Sequence, residues 1–258
     1  MGSEMCIRDS AEGEFNEAQW LQRPFRSPHH SASAAALAGG GAYPRPGEIS
    51  LAHNGILFLD ELPEFSRSAL EQLREPLETG RVHIARAKHS VQYPANFQLV
   101  SACNPCKCGF LGDGTERCRC SPADIEKYRS KISGSMLDRI DMHLHLPRIN
   151  IKELQRKEAN RQTSESIKTK VVRARVLQHK RQSRLNSQLS SKQLERYCEL
   201  NDEQLNFLAS VCEKLNMSAR AYHRILKLAR TIADMGGADV IEKSHLSEAI
   251  SFRSLDRN

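Results

Sequence analysis

The 258-residue sequence predicts an α/β unit built on a parallel sheet, followed by an all-helical unit. Three observations carry this reading. Residues 55–60, Gly-Ile-Leu-Phe-Leu-Asp, form a continuous apolar run of strand length, the pattern of a strand buried in a parallel sheet. Residues 97–102, Phe-Gln-Leu-Val-Ser-Ala, supply a second such strand. After Pro147 the β signal fades, and residues 151–181 and 190–252 are rich in Lys, Glu, Gln, Leu, Ala and Arg at helical spacing.

The elements follow in order. Residues 1–10, MGSEMCIRDS, show no periodicity and read as a non-native remnant outside the fold. Residues 20–50 are loop-rich, because two prolines in Arg23–His30 exclude a helix interior. Ser31 or Ser33 caps a short Ala-rich helix that ends at Gly39-Gly40-Gly41. Ala69, Leu70, Leu73 and Leu77 predict one helix over 66–79, capped by Ser66 and closed by Gly80. Residues 81–93 alternate in two short runs around a basic tip, Arg86-Ala87-Lys88, and predict a hairpin. A helix is expected over 123–133 and a strand over 141–146. The α/β unit is therefore placed at 11–148 and the helical unit at 149–258. Leu226, Ala229, Ile232 and Ala233 form a packing stripe in the latter.

Composition bounds the function. Hydrophobic residues make up 39% and charged residues 27%, the profile of a globular protein. No apolar run approaches membrane-spanning length and no secretory pattern occurs, so a cytoplasmic address is expected. The net charge of +7 is concentrated between Arg148 and Arg184, where twelve Lys and Arg face three Asp and Glu. Such a segment is either a solvated helix face or a contact for a polyanion. The tip residues Arg86 and Lys88 pose the same choice between a solvated turn and a DNA backbone contact.

The chemistry begins at Asp60-Glu61. An apolar strand that delivers two acids at its carboxyl end is the Walker B arrangement, and open α/β sheets bind ligands at that end. The first acid suits Mg²⁺ and the second suits orientation of an attacking water. A buried strand ending in two solvated acids has the same spelling. The second strand ends at Asn104, a polar residue beside those acids if the strands are neighbours; before Pro105 it is otherwise a turn residue. Arg139 offers a guanidinium fork for phosphate, or an ion pair with Asp138 or Asp141. His29, His30 and His53 read as polar loop residues rather than metal ligands.

Five of the eight cysteines fall between Cys103 and Cys120. Cys106, Cys108, Cys118 and Cys120 form two CxC pairs across a Gly-rich loop, a spacing that suits four thiolates on Zn²⁺. Free thiols and an iron–sulfur site are the alternatives. Cys103 is expected to be buried at the strand end.

GILFLDELPEF, REPLETGRVHI, CNPCKCGF, SGSMLDRIDMHLHLP and SARAYHRILKLARTIADMGG together resemble the ComM/YifB family of magnesium-chelatase-like AAA+ ATPases, over about residues 20–253. The resemblance implies a P-loop NTPase core followed by a helical lid. It implies ATP and Mg²⁺ as cofactors, Asp60 and Glu61 as Walker B, Asn104 as sensor 1 and Arg139 as the arginine finger. Arg220 matches sensor 2, with Arg224 as the other candidate. It further implies a hexameric ring acting on DNA in branch migration. Metal insertion into a porphyrin, or a zinc-braced binding module without enzymatic activity, are the rival functions. The core is incomplete in one respect: no G-x-x-x-x-G-K-[ST] occurs in the chain. Family members carry that loop upstream, so this chain alone is expected to be inactive.

Overall fold

A computed structural model describes residues 22–41, 43–85, 90–147 and 162–253. They fall into two compact units that divide between Arg139 and Ile140.

The first unit is organised by a three-stranded parallel sheet of β1 (Phe25–Arg26), β4 (Ile56–Leu59) and β7 (Gln98–Ser101), in the order β1-β4-β7. Phe25 pairs with Ile56, and Ile56 pairs in turn with Gln98. Leu57 and Leu59 are fully buried on one face. The other face carries Phe58 stacked on Phe25 with ring centroids 6.2 Å apart, and Val100 there is exposed. The apolar run is thus buried on alternate residues among those described, rather than on both faces.

Between β1 and β4 lie α1 (Ala34–Ala38), the short antiparallel pair β2 (Gly39–Gly40) and β3 (Arg45–Pro46), and α2 (Glu48–Leu51). Ser33 caps α1 through the Ala36 amide. The helix expected over 66–79 is two helices, α3 (Arg67–Glu71) and α4 (Arg74–Thr79). Ser66 caps the first, and Gly80, at φ 68°, closes the second. The break at Gln72-Leu73 has a cause in the sequence: the ring of Pro76 excludes the carbonyl of Gln72, four residues earlier, from a continuous helix. Then β5 (Arg81–Ala85) and β6 (Ser90–Pro94) form the expected hairpin, while its basic tip, Arg86 and Lys88, lies outside the described residues. Leu37, Ile49, Leu57, Leu59, Ala69, Leu73, Val82 and Met136 share one core. α5 (Pro122–Arg129) and α6 (Gly134–Leu137) complete the unit.

The second unit begins with residues 140–147. They form no strand, which corrects the expectation for 141–146. The segment is tied instead to the end of its own unit. The His143 amide donates to the Phe252 carbonyl at 2.6 Å, and the Arg253 guanidinium donates to the Ile140 carbonyl. These bonds explain why the division falls before Ile140. The helices are α7 (Ser164–Gln182), α8 (Ser191–Tyr197), α9 (Asp202–Lys214), α10 (Ala219–Gly236) and α11 (Lys243–Ser251). Leu194, Leu208, Ile225, Leu226, Ala229, Leu246 and Ile250 form their core. A buried polar knot joins α7 to α10. Asp234 accepts from Arg181 at 2.6 Å, from Asn186 at 2.8 Å and from Arg230 at 3.1 Å. Among the described residues, no helix is long and apolar enough to cross a membrane.

Candidate functional site

The parallel pairing of β4 with β7 brings the carboxyl ends of both strands to one edge of the sheet. Leu59 pairs with Ser101, the Ala102 amide donates to Leu59 O at 3.0 Å, and the Leu62 amide donates to Ala102 O at 3.0 Å. Asp60 and Glu61 are enclosed by this ladder on one strand, and Asn104 leaves the other two residues further on. Adjacent strands lie about 4.8 Å apart. Asp60, Glu61 and Asn104 are all exposed.

The backbone turns sharply at the acids. Glu61 adopts a left-handed conformation, φ 52° and ψ 46°, and starts a 3-10 turn over Leu62–Glu64. The Asp60 carboxylate accepts from the Glu61 amide at 2.8 Å. A left-handed non-glycine residue at a strand end is strained, and such strain is concentrated at functional sites.

The same edge also contains His30. β1 runs parallel to β4, so the segment after it arrives at the same end. Ser27, Pro28, His29, His30, Asp60 and Glu61 line a cleft of about 260 Å³. His30 Nδ1 lies 2.9 Å from Glu61 Oε2. His29 packs against His30 with ring centroids 4.1 Å apart and lies 2.9 Å from Ser31 Oγ. His30 was read as a polar loop residue, because only the β1–β4 pairing, invisible in local sequence, sets it against the acid. Tyr128 of α5 is also near. Burial, with Glu64, Cys103 and Glu61 as neighbouring negative groups, pushes its hydroxyl up to about 12.

The predicted arginines occupy different settings. Arg139 lies at the end of the first unit, its side chain 9% exposed, and pairs with Glu78 at 2.9 Å while donating to Ser135 O. Its ion-pair partner is therefore Glu78, not Asp138 or Asp141. Arg220 is exposed on the first turn of α10. Arg224, one turn on, pairs with Asp141.

The cysteine loop joins β7 to α5. Gly109, Gly112 and Gly114 all have φ between 75° and 79°, which lets the chain reverse so that the two CxC pairs face each other. The four sulfurs of Cys106, Cys108, Cys118 and Cys120 lie within 4.8 Å of one another. Cys106 Sγ is 3.3 Å from Cys108 Sγ and 3.8 Å from Cys118 Sγ, and Cys108 Sγ is 3.6 Å from Cys118 Sγ. Four thiolates at about 2.3 Å from a tetrahedral zinc stand about 3.8 Å apart, so the cluster has the dimensions of such a site. Burial opposes ionisation of Cys106, but hydrogen bonds from Cys108, the Leu111 amide and Cys118 outweigh it and bring the thiol down to about 6. Cys103 is exposed, not buried: it follows the last ladder bond, and its side chain joins neither the core nor the sulfur cluster.

Comparison with known proteins agrees with this architecture. The family described as Magnesium chelatase, subunit ChlI, matches residues 3–154, and the one described as Magnesium chelatase, subunit ChlI C-terminal, matches residues 161–253. The chain belongs to the magnesium-chelatase-like AAA+ family. Within this family it is 48% identical over 251 residues to the competence protein ComM of Haemophilus influenzae, covering 97% of this chain and 49% of that protein. It is 47% identical over 252 residues to YifB of Escherichia coli, covering 98% of this chain and 49% of YifB. It is 37% identical over 235 residues to Rv2897c of Mycobacterium tuberculosis. The chain thus spans about half the length of these family members. Similarity to the magnesium-chelatase 67 kDa subunit of Chlorobaculum parvum is 34% over 71 residues, 28% of this chain.

Proposed function

We propose that the full-length protein is an ATP-hydrolysing AAA+ motor that works on DNA as a homo-oligomeric, hexameric ring in the cytoplasm. The observation that carries the reading is the convergence of Asp60, Glu61 and Asn104 at the carboxyl end of two paired parallel strands, beside a cleft. The residues present fit the metal side of a nucleotide site: two exposed carboxylates border the cleft, one already turned by left-handed backbone. The phosphate-cradling loop is not spelled within these 258 residues. Mg²⁺ bound with ATP supplies charge neutralisation at the phosphates. In this reading Asp60 would hold the ion, and Glu61 would accept a hydrogen bond from the attacking water and take its proton. Asn104 would donate to the same water or to the γ-phosphate. Arg139 serves a neighbouring subunit's site and Arg220 senses nucleotide from the helical unit. Cys106, Cys108, Cys118 and Cys120 hold a structural zinc ion.

Two features support DNA as the partner. On α7, Lys168, Lys170, Arg173, Arg175 and Lys180 are all exposed. The H. influenzae relative is named a competence protein, and its similarity runs over nearly the whole chain. Pairwise likeness to the chelatase 67 kDa subunit covers 28% of this chain against 97% for the competence protein, while the family models that span both units carry the chelatase subunit's name, so metal insertion stands as the second reading. The test is ATP turnover by the full-length protein with and without DNA. Turnover stimulated by DNA and abolished by Asp60→Asn is expected; turnover indifferent to DNA, with no DNA binding, removes the DNA motor.

A further inference from the structure

The segment from Ala102 to Ser121 has a structural problem of its own. It contains no helix or strand, and none of its side chains belongs to either apolar core. Cys106 is its one buried residue among those described. Loops of this length without secondary structure are held by something other than packing, or are not held at all. Local bonds organise only parts of it. Asp113 accepts from Thr115 Oγ1 at 2.6 Å and from Arg117 at 2.7 Å, and Arg117 covers the Phe110 ring at 4.4 Å. These bonds organise the tip of the loop, between the two CxC pairs. At the base of the loop, next to Asn104, the limbs meet in the sulfur cluster, in which Cys106 and Cys108 on the near limb face Cys118 and Cys120 on the far one.

The near limb starts at Asn104. Pro105 alone separates it from Cys106, and the Gly109 amide closes a turn back onto the Cys106 carbonyl at 3.0 Å. A methyl group at Gly109 would stand 3.9 Å from both Cγ and Oδ1 of Asn104, so the turn containing two of the four thiols lies against the asparagine side chain. The last ladder bonds end at Ala102. Beyond that point Asn104 is positioned by the loop, not by the sheet.

We propose that a zinc ion bound by Cys106, Cys108, Cys118 and Cys120 is the clamp that fixes Asn104 at the sheet edge, so that metal loading sets the order of the asparagine next to Asp60 and Glu61. The proposal rests on the zinc reading above and deepens it: the ion is a positioning element for one residue of the candidate site. Metal sites couple binding free energy to local folding, and here the local fold is the loop that starts at Asn104. Thiolates with a short Gly-rich connection suit zinc over harder ions, which prefer oxygen.

The experiment uses the 258-residue chain and has two readouts, neither of them ATP turnover. Metal content after purification and after zinc reconstitution is measured for the parent chain, for Cys103→Ser and for the double variant Cys118→Ser/Cys120→Ser. Hydrogen exchange of residues 102–111, and the side-chain amide resonance of Asn104, are then followed with and without zinc. One zinc per chain is expected in the parent and in Cys103→Ser, and none in the double variant. Removing zinc should speed exchange in 102–111 by about 100-fold while β4 and β7 stay protected, a local opening rather than global unfolding. The Asn104 signal should move to an averaged, exposed position. Binding of zinc with no change at Asn104 overturns the clamp and leaves the zinc reading standing. Failure to bind zinc, or a brown protein with iron and sulfide, overturns both. Loss of protection in β4 and β7 along with the loop would make the metal a support of the whole unit and also overturn the clamp.

Discussion

Replacing Glu61 by glycine should leave the first unit more stable than replacing it by alanine, the reverse of the usual order. At an ordinary exposed position glycine is the worse choice, by about 0.5–1 kcal/mol, because it loses more backbone freedom on folding. Glu61 is held at φ 52° and ψ 46°, where a residue with a Cβ is disfavoured by about 1–2 kcal/mol. Both variants lose the contact with His30, whose partners are 34% and 50% exposed, so that term cancels between them and is small in any case. The difference is therefore centred on about 0.75 kcal/mol in favour of glycine, within a span of about 0–1.5 kcal/mol, or about three- to fourfold in the unfolding equilibrium. Asparagine, which tolerates the left-handed region, should also exceed alanine. Urea unfolding read through the exchange protection of β4 and β7 amides isolates the first unit. If alanine equals or exceeds glycine, Glu61 is not strained and the argument that its turn is maintained for function fails. If glycine is the more stable and yet inactive in the full-length protein, stability and activity are separated at one residue.

Asp234→Ala should destabilise the helical unit by about 3–5 kcal/mol, because Arg230, with its side chain 3% exposed, would lose its carboxylate partner in the interior; thermal unfolding measures it, and a change under 1 kcal/mol contradicts the knot. Burial would raise Asp234, but hydrogen bonds from Arg181 and Asn186 and the charge of Arg230 hold it below the ordinary carboxylate range. Its stabilisation is therefore full above the unfolded value of about 3.9 and is lost as pH falls below that, a loss of melting temperature that Asp234→Asn should flatten. Leu57→Ala, at a position with 0% exposure in the central strand, should cost the first unit about 2–5 kcal/mol in chemical denaturation. His30→Ala in the full-length protein should lower kcat with little change in the KM for ATP, and His30→Gln should recover part of it; equal loss in both variants would make His30 a merely structural residue.

The elements legible in the sequence are those set by local rules. Ser66 and Gly80 mark helix ends because a hydroxyl satisfies a free amide and only a residue without Cβ adopts φ 68° at no cost. The Asp60-Glu61 pair was legible because an apolar strand has to stop somewhere, and two acids at its end are costly to bury. The CxC pairs were legible from spacing alone. What was hidden depends on pairing over distance. His30 meets Glu61 only because β1 lies parallel to β4, and Arg139 finds Glu78 sixty-one residues back rather than a neighbouring aspartate. The run 141–146 alternates like a strand, but a strand also needs a partner; here one amide bonds to Phe252 and no ladder forms. The single helix expected over 66–79 overlooked how Pro76 acts on the carbonyl of Gln72, although both residues were in plain view.

The role proposed for the Glu61 carboxylate is to serve hydrolysis of a nucleotide bound beside Asp60. The most direct measurement is a single-turnover assay of ATP cleavage by the full-length protein and its Glu61→Gln variant, with ATP binding measured in parallel. The variant should still bind ATP but cleave it at least 100-fold more slowly, in line with the loss of a positioned base. Cleavage by Glu61→Gln at the parent rate would contradict it.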